Sequence, residues 1–141
     1  MSLASTVFEI HRVSTSSPRS LFLTKGSTTK IGPGCFERVY EEILYYEHTK
    51  LGFNVQRQLL LPIEWEKLFI KDAYKIDLLV ENKLVIELKS IFPLPPVHFN
   101  QVHTHLSLLN LKHGMLINFK VPLMKEGLHR IFNNSGMEEL E

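Results

Sequence analysis

Lys75-Ile76-Asp77-Leu78-Leu79-Val80-Glu81-Asn82-Lys83-Leu84-Val85-Ile86-Glu87-Leu88-Lys89 is the stretch that decides the fold. Two aliphatic, β-branched runs, 75–80 and 84–89, flank Glu81-Asn82-Lys83, where Asn tolerates the left-handed backbone of a tight turn. The stretch therefore predicts a hairpin. With residues 81–83 as the turn, Val80 pairs with Leu84 and Asp77 lies opposite Glu87, about 5 Å apart at Cβ. Side chains alternate across a strand, so Asp77, Leu79, Val85, Glu87 and Lys89 are expected on one face. Ile76, Leu78, Val80, Leu84, Ile86 and Leu88 then form the other, which is wholly apolar.

Upstream, Phe36, Val39, Tyr40, Ile43, Leu44 and Leu51 recur at spacings of three and four until Gly52, which predicts an amphipathic helix over about 35–50. Val55 to Leu61, closed by Pro62, and Lys67 to Tyr74 have the length and composition of two short strands. Downstream, Pro93, Pro95 and Pro96 interrupt regular structure, and Val97 to Leu111 reads as a helix with Val102, Leu106 and Leu109 on one stripe. Gly114 to Phe119 is a short buried strand, and Leu123 to Phe132 is a further short strand or helix. This order predicts an α/β fold, a central mixed sheet of four to five strands flanked by helices.

Residues 1–30 differ from the rest, with twelve Ser/Thr, one acid and four bases. They are expected to form an N-terminal segment with a short ordered patch at Val7 to Arg12 and a flexible Ser/Thr-rich insertion, an organelle transit peptide being the minor reading. The folded domain is expected over 31–133, followed by a frayed acidic tail, 134–141.

A chain of 141 residues, 44% hydrophobic and 22% charged, builds a core without staples, which excludes a disordered or collagenous chain. Its formal net charge of +1 creates no global field toward nucleic acid or membrane, so phosphate binding must be local. Cys35 is the single cysteine, which excludes an internal disulfide, a cysteine zinc cage and a four-cysteine iron–sulfur cluster. No apolar run approaches the roughly 20 residues of a membrane helix. A cytoplasmic protein is the expectation.

The chemistry resides on the hairpin. Paired carboxylates at Asp77 and Glu87 repel each other, and a hard divalent cation, Mg²⁺ or Mn²⁺, converts that repulsion into binding. Lys89 points the same way and can orient water or neutralise charge developing on a phosphate. A solvated charged strand face, its ion pair worth about 0–1 kcal/mol, accounts for the same residues. His98, Gln101 and His105 share a helical face and offer a rival zinc site without a His-Glu-x-x-His signature. No glycine-rich phosphate loop or serine nucleophile elbow accompanies them.

Gly34-Cys35-Phe36-Glu37-Arg38-Val39-Tyr40, then Asp77 to Lys89, then His98-Phe99-Asn100-Gln101, then Leu116-Ile117-Asn118-Phe119 occur in order and at compatible spacing. In this the chain resembles the GxxExxY proteins of the PD-(D/E)XK nuclease superfamily over about 31–133. Phe8 to Arg12 resembles the family's first helix, which normally runs directly into the sequence seen here as Gly32-Pro33-Gly34, making 14–30 an insertion. Ile76 stands where the superfamily motif has proline, and His105 where a related branch carries tyrosine.

The resemblance implies a restriction-endonuclease-like core and metal-dependent hydrolysis of nucleic-acid phosphodiesters, DNA favoured over RNA. Asp77 and Glu87 would hold Mg²⁺ or Mn²⁺ and Lys89 would assist the attacking water. Glu37 would complete the acidic cluster or orient Lys89, and Gln101 would contact the site from the following helix. His98 and Tyr40 would be substrate-side neighbours, Tyr40 packing or hydrogen-bonding rather than reacting. No membrane is implied, and a homodimer or larger complex is compatible. The alternatives are a non-catalytic nucleic-acid-binding or regulatory module on the same fold, and a structural subunit of a larger complex that exposes an apolar patch.

Overall fold

The computed structural model describes residues 37–122 and 124–134, so the readings for 1–30, Gly32 to Phe36 and most of the acidic tail lie outside the described residues. The first helix, α1 (Glu37–Lys50), buries Tyr40, Leu44 and His48, one residue per turn along a single stripe. Gly52 ends it as the sequence predicts: at φ +89° its N–H meets the Thr49 carbonyl at 3.0 Å, while the Phe53 N–H meets that of His48 at 3.1 Å. These are the two bonds of a Schellman stop, which needs a left-handed residue at this position.

Five strands follow: β1 (Val55–Trp65), β2 (Leu68–Val80), β3 (Leu84–Lys89), β4 (His113–Asn118) and β5 (Leu128–Phe132). A second helix, α2 (Val97–Leu109), joins β3 to β4, and a single turn, α3 (Met124–Gly127), precedes β5. They make one sheet in the order β1-β2-β3-β4-β5, in which β3 and β4 are parallel and the remaining neighbours antiparallel. The mixed α/β sheet flanked by helices is the restriction-endonuclease-like architecture expected. The turn at 81–83 also forms as expected, with Val80 opposite Leu84 and both Glu81 and Asn82 left-handed.

The two long strands correct the sequence reading. β1 does not stop at Pro62, and Lys67 to Tyr74 and Lys75 to Val80 are one strand, so β1 and β2 form a long arm around a Glu66-Lys67 turn. Proline is tolerated because β1 is an edge strand, and the register shifts there, between Leu61 and Ile63. Trp65, opposite Leu68 beside the Glu66-Lys67 turn, is 70% exposed at the arm's tip.

The sheet is covered on both faces, as a parallel pair with a helical crossover requires. Tyr40 and Leu44 of α1 pack on Leu78, Val80, Leu84, Ile86, Leu88, Met115 and Ile117. Val102 and Leu106 of α2 pack on Ile76, Leu79, Val85, Leu116 and Ile131. The face predicted to carry the charges is therefore mostly core. Gly114 on β4 permits this close approach: a Cβ there would lie 2.7 Å from Val102 Cγ1 and 3.0 Å from Leu106 Cδ1. Gly114→Ala is expected to push α2 off the sheet and cost about 1–3 kcal/mol. Urea unfolding measures it, and an unchanged midpoint contradicts this account of the packing.

Candidate active site

β2 pairs with β3 only over Leu78, Leu79 and Val80. At the next residue the ladder gives way to a side chain, the Asp77 Oδ2 accepting the Leu88 N–H at 2.8 Å. There the strands separate, β3 continuing beside β4 while β2 runs out into the arm with β1. The split also explains a second correction. Ile76, expected on the same face as Leu78, lies in the opposite core, because both arm strands change face at this point. On β1, Val55 packs with the α1 core but Leu59 and Leu61 with the α2 core; on β2, Leu78 and Val80 face α1 but Ile76 and Tyr74 face α2.

Glu87 points toward α2 and is 3% exposed. Its Oε1 lies 3.2 Å from the Nζ of Lys89, while its Oε2 is buried without a hydrogen-bond partner. That oxygen faces the His105 Nδ1 at 3.9 Å, too far to bond, and both ring nitrogens of His105 are likewise buried without partners. Burial pushes the Glu87 carboxyl up to about 7, with the Asp77 charge adding to the rise, Lys89 opposing it, and Glu37 contributing a smaller rise. Burial, then the charge of Lys89, lowers the pKa of His105 and favours its neutral form. Asp77, Glu87 and Glu37 therefore lie near enough to influence one another, and Glu87 is buried rather than on the solvated face that the sequence also allowed.

Glu37, at the start of α1, accepts the Ser90 N–H on Oε1 at 3.0 Å and so closes the end of β3. Gln101 and His98 are half-buried on the first turns of α2, with His98 Nδ1 3.5 Å from Gln101 Oε1. Tyr40 stacks on Phe119 with ring centroids 3.8 Å apart and is 3% exposed, which withdraws its ring from the substrate side expected for it. Asn118 fastens the loop beyond the lysine: its amide donates to the Ile91 carbonyl at 2.8 Å and its Oδ1 accepts the Ile91 N–H at 3.2 Å.

Beside this cluster a cleft of about 510 Å³ opens between α1 and the root of the arm. Glu37, Glu41, Glu42 and Asp77 line it together with Arg38, Arg57, Lys75 and Gln58. Glu41, Glu42 and Gln58 are not among the residues singled out from the sequence. Gln58 Nε2 donates to Glu41 Oε2 at 2.6 Å and approaches Asp77 Oδ1 at 3.4 Å. Glu41 had a signal, lying one helical turn after Glu37; Gln58 had only its polarity within an apolar strand.

A family model, the PD-(D/E)XK nuclease superfamily, matches residues 26–131. The chain belongs to the PD-(D/E)XK nuclease superfamily. No curated protein matches it at a significant level, and no solved structure does. Membership points to a nuclease with a nucleic-acid substrate, and PD-(D/E)XK nucleases generally use divalent metals.

The donor set fits such a cation in part. Carboxylate oxygens from Asp77 and Glu87 suit a hard ion, and the orphaned Glu87 Oε2 is a buried acceptor that the protein itself leaves unsatisfied. Among the described residues no three His, Cys, Asp or Glu converge as a complete metal cage, which also leaves the rival His98 and His105 zinc site without support. Two carboxylates, completed by water and substrate phosphate, are the usual protein share of a Mg²⁺ site. Among the described residues no helix is long and apolar enough to cross a membrane.

Proposed function

We propose that the chain is a Mg²⁺- or Mn²⁺-dependent nuclease of the GxxExxY type that hydrolyses phosphodiester bonds, DNA favoured. The observation that carries this reading is the Lys89 Nζ, 3.2 Å from a buried Glu87 whose other carboxylate oxygen has no partner, at the point where Asp77 ends the β2–β3 ladder. Asp77 and Glu87 would hold the cation, which when bound lowers the cost of ionising water and of accumulating charge on phosphorus. Lys89 holds Glu87 in place and presents an N–H toward the developing negative charge. Glu37 secures the backbone beyond β3, and Gln101 with His98 supplies polar groups from α2 for the substrate side. Water adds to phosphorus, the bond to the leaving ribose or deoxyribose oxygen breaks, and a phosphate monoester and a hydroxyl result.

Labelled single- and double-stranded DNA and RNA, incubated with Mg²⁺, Mn²⁺ or EDTA, test the reading directly. Cleavage that needs the cation and is lost in Asp77→Asn supports it; uncut substrates bound by wild type and by Lys89→Ala without any cation would replace it by the binding module. One observation favours that a partner protein also engages this domain: Trp65, Leu68 and Ile70 leave one side of the arm apolar and exposed, as a subunit of a larger complex would. Sedimentation of the purified chain as a monomer would exclude self-assembly as the use of that side.

A further inference from the structure

Gln58 sits in the middle of β1 with φ +53°, a left-handed backbone that a non-glycine residue in a strand adopts only under constraint. The β1–β2 register runs from Val55 opposite Val80 to Leu61 opposite Tyr74 and passes over one place, Gln58 and Asp77. That same place is where both strands change face. The left-handed turn therefore does two things: it lets the arm swing from the α1 core to the α2 core, and it delivers the Gln58 amide into the cleft beside Asp77. There one nitrogen serves two carboxylates, Glu41 at 2.6 Å and Asp77 at 3.4 Å. With Leu88 N–H on Oδ2 and Gln58 on Oδ1, each oxygen of Asp77 has a donor that sets its rotamer.

We propose that Gln58 is a positioning residue, which orients the Asp77 carboxylate for cation binding and ties it to Glu41 of α1. This rests on Asp77 being a cation ligand. An amide is the group required there. It donates to both acids without carrying charge, whereas a lysine would compete with the cation and a carboxylate would repel both neighbours. Partners that hold a ligating carboxylate typically govern cation affinity or activity by about 10–100-fold.

Backbone and side chain can be tested apart. Gln58→Gly keeps the left-handed φ at no steric cost and removes the amide; Gln58→Asn tolerates that φ and draws the amide back by one methylene. Both are expected to melt within about 5 °C of wild type in EDTA, a margin of about 1 kcal/mol for a domain of this size. Both are expected to bind Mn²⁺ about 10-fold or more weakly when titrated by electron paramagnetic resonance, and to lower kcat for cleavage with KM held. If one variant fails to fold, the other gives the same reading. Wild-type Mn²⁺ affinity in the folded variants, with Asp77→Asn unable to bind, would overturn the positioning assignment alone. Wild-type Mn²⁺ affinity in Asp77→Asn would overturn the metal-site reading and this inference with it.

Discussion

Lys89→Met is expected to reduce phosphodiester cleavage by about 10³-fold while leaving the chain folded, the scale on which loss of one preorganised donor acts. Two effects combine. The ammonium group that meets charge on the phosphate is gone, and Glu87 loses its partner at 3.2 Å. Lys89 is what opposes the rise of the Glu87 carboxyl; without it burial, Asp77 and Glu37 all push upward, and the group moves above its present value of about 7. At limiting cation, which must displace the proton of Glu87 to bind, the residual activity of the variant should therefore rise with pH over a range where wild type is already level, the acid limb of its profile displaced to alkaline pH. Lys89→Arg retains charge but presents a planar fork in place of a point donor, so it is expected to recover only part of the rate. Profiles of cleavage rate against pH at limiting Mn²⁺ for the three proteins measure this, and coincident acid limbs for wild type and Lys89→Met would contradict the pairing.

Glu87→Gln is expected to separate function from stability. Cleavage should fall to background, and the rise in melting temperature on adding Mn²⁺, worth about 3 kcal/mol at 100 times the dissociation constant, should vanish. Without cation the variant should nevertheless be the more stable protein above pH 7. The folded-state pKa of about 7 lies above the ordinary value of 4.5, so between these pH values the folded chain holds more protons than the unfolded one. Stability contributed by this group is thus present in full below about pH 4.5, declines as pH rises, and is lost above about 7. The interval between 4.5 and about 7 corresponds to about 3 kcal/mol, which the neutral amide avoids. Melting curves of both proteins from pH 5 to pH 8 in EDTA report the difference directly. A gap between them that does not widen with pH would show that Glu87 ionises without penalty.

This conflict accords with the burial pattern. Glu87 is 3% exposed within a strand whose other residues, Lys89 apart, are Leu, Val and Ile, and the proposed cation would offset the cost of holding an acid there. His105, a departure from the tyrosine of a related branch, is fully buried against Tyr74 with ring centroids 5.7 Å apart, and closes the side of Glu87 away from Lys89. Its packing on α2 follows from the same stripe that buries Val102 and Leu106. The stripe was legible, but not the identity of the residue that a histidine on it would face.

Local signals carried most of the architecture. Gly52 stops its helix through left-handed backbone, Asn82 turns the β2–β3 hairpin, and the aliphatic runs at 78–80, 84–88 and 114–117 become the interior strands, whereas Asn110, left-handed, stops α2 at Leu109, short of the Leu111 expected. The short turn set the register only for the three pairs beside it; the expected Asp77–Glu87 pair does not form, because the ladder ends at Leu78 opposite Ile86 and Asp77 accepts the Leu88 N–H instead.

The arm was not legible, because its register depends on an irregularity that no local rule announces. Counted from the Glu66-Lys67 turn, where Trp65 pairs with Leu68 and Ile63 with Ile70, Asp77 would face Gln56. The shift beside Pro62 pairs Leu61 with Tyr74 instead and brings Gln58 opposite Asp77. Strict alternation then fails at that one place, and Ile76 enters the core under α2 rather than the one under α1. Alternation and turn chemistry act between near neighbours, so the sequence alone determined the helices, the hairpin turn and the candidate residues Asp77, Glu87 and Lys89 on the strands beside it. Which polar residue meets Asp77, and which helix covers each side of the arm, was decided by the sheet as a whole: burying Leu59, Leu61 and Ile76 beneath α2 compensates the left-handed backbone at Gln58.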